Sequence, residues 1–273
     1  MNGPVVVGID VAEPGRAAVD WAADEAALRG LPLRLVRAPE LPSGREEDAA
    51  LLAVERARVT QEHPELPVTA DLVDGKAREV LAGAAADATL LVLGARGSGG
   101  FPALLLGSTA LHAAAHAPSP VAVVRPTAAA ADDPAVVVGI QGAEHEEPVL
   151  AHAFQAARRH GIPLFVVHAW TYPLFMGPGH EVPVVYEGAH VEEEHRRAVA
   201  EVLAGWRERF PEVSVTTSVT RSHAARELVA ASAGRRLLVV GRHGRPRGPI
   251  GRLGSTSQAV VQHAECPVVV VPV

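Results

Sequence analysis

The sequence predicts an α/β protein made of two tandem copies of one domain, each a parallel five-stranded sheet with flanking helices. Three observations carry this. Glycines recur at one spacing: Gly94-Ala-Arg-Gly97, nine residues, Gly107-Ser108, then Gly241-Arg-His-Gly244, nine residues, Gly254-Ser255. Each copy directly follows an apolar run, Leu90–Leu93 or Leu237–Val240. Other segments share the same register: Val5–Asp10 with Val136–Gln141, Leu31–Ala38 with Ile162–Ala169, Ala77–Leu81 with Ala225–Val229, and Ala117–Val124 with Glu265–Val271.

In chain order, Val5-Val-Val-Gly-Ile suits a first strand, a nearly continuous apolar run of the kind buried on both faces. Val19, Ala22, Ala23 and Ala26 then fall at i, i+3, i+4 and i+7, which predicts a helix stopped by Gly30 at C′. Leu31–Ala38 gives the second strand, with Ala38 at its end, and Leu81, Ala84, Ala85 and Ala88 repeat the helical spacing before the next strand. Strand alternating with helix implies right-handed crossovers and a parallel sheet. In such sheets ligands bind beyond the carboxyl ends of the strands. Asp10, Ala38 and Gly94 stand at those ends and are expected to converge on one crevice. The join, Thr127–Pro134, is a small-residue and proline stretch typical of a linker. Domains are therefore expected at 1–127 and 134–273. The second half carries extra length, 72 positions from Ala169 to Gly241 against 56 from Ala38 to Gly94. It lies around Trp170–Tyr186 and suggests an ordered flap or contact loop.

The 273 residues suffice for two domains with cores of their own. Apolar residues make up 48% and aromatics only 4%, so Val, Leu and Ala fill the interior. A net charge of −6 offers no global basic field for nucleic acid. The one cysteine, Cys266, excludes an internal disulfide and aligns with Ser119, a packing position. No signal-peptide pattern and no bilayer-length apolar run are evident, so a cytoplasmic location and no membrane partner are expected. The one lysine, Lys76, lies outside both glycine loops, and G-x-x-x-x-G-K-[ST] is absent, which speaks against a P-loop NTPase.

Glycines after a strand let bare backbone approach a phosphate, and the following serine opens a helix whose unpaired N–H groups favour an anion. The same glycines also suit plain turns. These residues resemble the universal stress protein family in its tandem two-domain form, whose signature is G-x2-G-x9-G-[ST] with an Asp after the first strand. The resemblance covers nearly all of the chain except the linker and residues 170–187. It implies a Rossmann-like, adenine nucleotide alpha hydrolase-like fold, ATP as ligand with or without Mg2+, a cytoplasmic stress-response role, and pairing of domains through their last strands. It places Ile9, Asp10 and Ala38 at adenine and ribose, and Gly94, Arg96, Gly97, Gly107, Ser108 and Thr109 at the phosphates. In the second half the matching residues are Ile140, Ala169, Gly241, His243, Gly244, Gly254, Ser255 and Thr256. The departure is Gln141, an amide where the family has a carboxylate.

The loops differ in charge. Residues 98–106 are uncharged, whereas 245–253 hold three arginines, with Arg242 and His243 just ahead. The first site therefore suits ATP, and the second a more anionic ligand or an acidic partner, unless those charges form a solvated face. His112 and His116 lack a third ligand, and His190 and His195 flank Glu192–Glu194 on a polar helix face, so no metal site is expected. Arg158-Arg159, Arg196-Arg197 and Arg235-Arg236 are expected on exposed helix faces or ends. Neither glycine loop contains an acid, which leaves Asp10 as the one carboxylate placed in a site and favours binding over turnover. A nucleotide-dependent regulator, a slow ATP hydrolase and a purely structural pairing module, with or without homodimerisation, remain the three classes of function.

Overall fold

The computed structural model describes residues 3–10, 14–39, 44–96, 105–126, 133–142, 146–171, 188–242 and 253–273. The first half runs β1 (Val5–Gly8), α1 (Pro14–Arg29), β2 (Leu33–Arg37), α2 (Arg45–Glu62), β3 (Val68–Leu72), α3 (Ala77–Ala84), β4 (Leu90–Gly94), α4 (Ser108–His116), β5 (Val121–Val124). The second repeats it: β6 (Val136–Ile140), α5 (Glu147–His160), β7 (Leu164–Trp170), α6 (Gly188–Arg209), β8 (Val215–Arg221), α7 (Ala224–Ala231), β9 (Leu237–Gly241), α8 (Ser255–His263), β10 (Val268–Val271).

The two expected sheets form one, in the order β3-β2-β1-β4-β5-β10-β9-β6-β7-β8. Pairing is parallel throughout each half and antiparallel only where β5 meets β10, with Val121, Ala122 and Val123 opposite Val270, Val269 and Val268. The last strands thus pair within one chain. In each half the chain winds outward from the first strand and then returns to its other side, so the switch in strand order lies between β1 and β4, and between β6 and β9.

Interior strands are buried on both faces, as their apolar runs require. Edge strands β3 and β8 are half-exposed and carry polar residues, Thr69 and Asp71 in one and Thr216, Thr217 and Ser218 in the other. Val5, Val7, Ala122, Val124, Val269 and Val271 face a core with α1, α2, α5 and α6. Val6, Val121, Val123, Val268 and Val270 face a second core with α3, α4, α7 and α8. Both cores run across the joint. Val19, Ala22, Ala23 and Ala26 are buried as the periodicity predicts. Gly30 and the corresponding Gly161 take positive φ, 62° and 64°, the left-handed turn that ends α1 and α5. Helix α3 ends at Ala84, short of the expected span, and Ala88 is buried from the turn before β4. The linker lies largely outside the described residues.

Helices α1 and α5 meet across the joint in a charged seam. Glu25 is fully buried, accepts from His160 Nε2 at 2.6 Å and pairs with Arg29 at 2.9 Å. Burial alone would raise its carboxyl, but the His160 hydrogen bond and the Arg29 charge bring it down to about 2. Arg159, expected on an exposed face, belongs to this seam instead: burial and the Arg29 charge lower it to about 10. Burial, with Arg29 and Arg159 beside it, lowers His152 to about 3, and its Nε2 is buried without a hydrogen-bond partner.

His152 is therefore neutral when folded, whereas in the unfolded chain it gains a proton near its ordinary pKa. Its contribution to stability is present above about pH 6.5 and is lost as pH falls from there toward 3. Urea melts between pH 7.5 and 5 should show stability falling with pH, by at most about 1.4 kcal/mol per pH unit for this one proton. His152→Asn should flatten that slope; an unchanged slope would assign it to other groups.

Candidate functional site

At the carboxyl edge of the first half, β1 lies between β2 and β4, so Ile9, Asp10, Ala38 and Gly94 follow adjacent strand ends. Ile9 continues the pairing, its N–H donating to Val36 at 2.9 Å. The two roots of the glycine loop are tied by a hydrogen bond from Gly107 N to the Ala95 carbonyl at 2.7 Å, and Ala95 N donates to Val124 at 2.8 Å. Gly107 is extended and supplies no side-chain cap, so the first-turn amides of α4, around Ser108 and Thr109, have no N-cap side chain competing with an anion. Ala38 lines a hollow of about 690 Å³ with Pro39, Arg45 and the Asp74–Ala77 turn.

The second half repeats this edge around a narrower cavity of about 200 Å³. Its walls bring together Ile140, Ala169, Gly241, Gly254, Ser255 and Thr256, six of the residues picked out by the glycine register, with Gln141 beside them. Gly254 is extended like Gly107, and α8 likewise starts without a side-chain cap. Ser257 Oγ donates to the Gly241 carbonyl at 2.7 Å and ties the strand end to the helix start. Gly139 belongs to the wall because α7 packs hard against β6: a Cβ there would sit 2.8 Å from Leu228. The lining is small and mostly uncharged, with helix N–H groups at one end. That donor set fits a ligand with a flat apolar part and an anionic tail. Gly97, His243 and Gly244 lie outside the described residues, as do the flap at 172–187 and most of both glycine loops.

Several groups at these edges escaped the sequence analysis. Arg37, at the end of β2, is buried; it donates from Nη1 to the Ile9 carbonyl at 3.1 Å and from Nε to Asp48 on α2. Its Nη1 also lies 3.9 Å from Asp10. In the second half the aligned residue is His168, whose Nδ1 donates to the Ile140 carbonyl at 3.2 Å. With that proton on Nδ1, Nε2 accepts from His195 Nδ1 at 2.9 Å. His195 also stacks on Trp170, ring centroids 4.8 Å apart, so it faces inward rather than belonging to the polar face of α6. Burial lowers the His168 pKa, which favours the neutral form that this pair needs. A signal was available: Arg37 and His168 are polar residues at matching ends of apolar runs.

A second correction concerns acids. Asp10 is not the one carboxylate at these edges, because Glu146 is buried against the second and accepts from the backbone N–H groups of Gln141 and Gly142. Burial raises its pKa despite those bonds. The arginines around the second loop are also not a uniform patch, since Arg242 reaches into the other half and donates to the Ala117 carbonyl at 2.6 Å. Among the described residues no cluster of three or more potential metal ligands occurs. His112 and His116 stack at 4.4 Å, with His116 Nδ1 on the His112 carbonyl. Burial pushes the Cys266 thiol up to about 12, the mark of a packed group. No described helix is long and apolar enough to cross a membrane.

Comparison with known proteins agrees with the doubled glycine register. The sequence model described as the Universal stress protein family matches residues 1–125 and again 134–272. Universal stress protein Rv2623 of Mycobacterium tuberculosis is 35% identical, with 97% of this chain and 95% of that protein covered. Universal stress protein Rv2005c of the same organism is 34% identical, covering 97% and 96%. Among solved structures, a universal stress protein from Archaeoglobus fulgidus superposes with a TM-score of 0.71 at 16% identity, covering 100% of this chain and 97% of its own. A functionally unknown protein from Pseudomonas aeruginosa gives 0.72 at 15% identity, covering 99% and 92%. These two likenesses speak to the fold.

Glu146→Ala removes the acceptor of two N–H groups at the second edge and should cost about 1–3 kcal/mol of stability. Glu146→Gln keeps an acceptor oxygen without the buried charge and should cost less. Denaturant titration of both variants checks this; equal losses would mean that the bonds do not matter.

Proposed function

Since the chain belongs to the universal stress protein family, in its tandem two-domain form, we propose that it binds ATP, with or without Mg2+, and acts as a nucleotide-dependent regulatory or sensor module in the cytoplasmic stress response. The observation that carries this reading is the cavity of about 200 Å³ where Ile140, Ala169, Gly241, Gly254, Ser255 and Thr256 meet at an uncapped helix start. In the proposed assignment the adenine and ribose lie along the ends of the first two strands of a half. That puts them at Ile9, Asp10 and Ala38, or at Ile140 and Ala169. The phosphates then reach the glycine signature and the first turn of α4 or α8, at Gly94, Arg96, Gly97, Gly107, Ser108 and Thr109, or at Gly241, His243, Gly244, Gly254, Ser255 and Thr256. Bound ATP supplies a flat base that suits small walls and an anionic tail that suits free helix N–H groups.

The first site rests on Asp10, held beside Arg37; the second replaces that carboxylate with Gln141 and sets Glu146 under the backbone instead. The two are therefore unequal, and the first suits ATP better. The reading is of binding without efficient turnover, by domains 1–127 and 134–273 that pair within the chain, to which a second copy can add.

Native mass spectrometry of the full chain with ATP should show nucleotide-bound species, and calorimetry should resolve a tighter and a weaker event. Asp10→Ala should weaken one event by about tenfold to a hundredfold, the value of one charge-assisted hydrogen bond, and leave the other in place. Absence of any ATP complex in the wild-type protein overturns the reading.

A further inference from the structure

On the face of the sheet that carries α4 and α8, two arginines cross the joint in opposite directions. Arg125, which follows β5, donates from Nη2 to the carbonyls of Val261 and Gln262 at 2.6 Å each. Those carbonyls end α8, whose first turn, Ser255 and Thr256, borders the second cavity. Arg242, which follows β9 and roots the second glycine loop, donates from Nη1 to Ala117 at 2.6 Å. Ala117 is the C-cap of α4, whose first turn, Ser108 and Thr109, opens the first site. Both helices are nine residues long, so each spans about 13 Å from its site to the grip of the other half. The last carbonyls of a helix are orphaned and carry partial negative charge, so a guanidinium there is well matched.

The two arginines do not occupy equivalent positions. Arg125 aligns with Pro272, and Arg242 with Ala95, so duplication alone does not account for the reciprocal arrangement. Both arginines also lie near their own half's glycine signature. Arg242 directly follows Gly241 in the chain, and its N–H donates to Val271 at 2.8 Å. Arg125 lies within the electrostatic reach of Arg96, in the first signature, and its Nη1 is buried without a hydrogen-bond partner.

We propose that Arg125 and Arg242 couple the two nucleotide sites, each gripping from one half the C-terminal end of the helix whose N-terminus serves the site of the other half. This rests on the nucleotide-binding reading and adds that the sites are not independent. Filling the second site fixes the strand end that carries Arg242 and thereby steadies α4, so the first site binds more tightly when the second is occupied. Arg125 couples the same two sites through α8, and by thermodynamic linkage the contribution of each arginine is felt equally at both sites.

Hydrogen exchange under ATP titration tests this on the full chain, because protection of residues 108–111 reports the first site and of 255–258 the second. Gly254→Val closes the second cradle with a side chain that its extended backbone accepts. In the wild-type background this block should raise the ATP midpoint of the first site by about fivefold or more. In an Arg242→Met background the same block should move that midpoint less, Arg242→Lys should retain more of the shift than Arg242→Met, and with Arg242→Met and Arg125→Met combined the midpoint should stay unmoved. The mirror experiment pairs Gly107→Val with Arg125→Met and reads the second site, which keeps the test open if one arginine variant fails to fold. Equal first-site midpoints with the second site open or blocked overturn the coupling while leaving nucleotide binding intact. Absence of ATP-dependent protection in either half of the wild-type chain overturns the nucleotide-binding reading, and the coupling with it.

Discussion

Every other strand contact in the sheet is parallel, and the short antiparallel pairing of β5 with β10 is what turns two domains into one body. Val121, Val123, Val268 and Val270 face one core from this joint, and Ala122, Val124, Val269 and Val271 the other. A slip of one residue would send each set to the opposite face and break both cores at once. The register is therefore specified by packing on two sides. It also removes the two strand edges that isolated halves would expose. Once it is set, α1 must meet α5 on one face, and the ends of α4 and α8 must come within reach of the opposite half on the other.

The two faces solve that meeting differently. Where α4 and α8 lie, arginines satisfy helix-end carbonyls, so partial charges are matched without burying a carboxylate. Where α1 and α5 meet, Glu25 is buried under Arg29 and His160, with Arg159 and His152 close by. One carboxylate among several basic groups is an expensive way to fill an interface, since desolvating ions costs more than an apolar contact of the same volume. Such a cluster, however, tolerates few alternative placements of its two helices. Apolar packing fixes the joint, and this polar seam restricts the angle at which the halves sit.

The architecture was legible because it is written in periodic signals. Apolar runs of four or five residues, helical spacing of alanines and a doubled glycine register each involve many positions, so they survive without knowledge of tertiary contacts. The site was legible where it depends on backbone: Gly254 and Ser255 stand at the cavity because a strand end and a helix start must lie there in this topology. What escaped depends on single side chains meeting across long separations. His168 and His195 are 27 positions apart, and His160 and Glu25 are 135 apart. Nothing local distinguishes His195, which turns inward, from His190, which stays exposed beside Glu194. Glu146 was missed because a carboxylate six residues beyond a strand looks like an ordinary loop residue until its burial is known. Arg242 looked like part of a basic ligand loop because sequence shows charge but not direction.

The inequality of the two edges follows from one shared requirement. The carbonyls of Ile9 and Ile140 both receive a side-chain donor from the end of the neighbouring strand. In the first half that donor is Arg37, a cation; burying it calls for anions, and Asp48 and Asp10 lie on either side. In the second half the donor is His168, which does the same work as a neutral imidazole and takes its other hydrogen bond from a second imidazole, His195. Among the described residues no buried cation stands there to balance a carboxylate at position 141. The neighbouring Glu146 already brings one carboxyl to that backbone, and a second acid would add like-charge repulsion to its desolvation. Gln141 is thus one member of a linked set of differences rather than an isolated loss. On the proposed nucleotide-binding reading, the difference between the two edges resides in the strand-end donors, Arg37 and His168, as much as in the glycine loops.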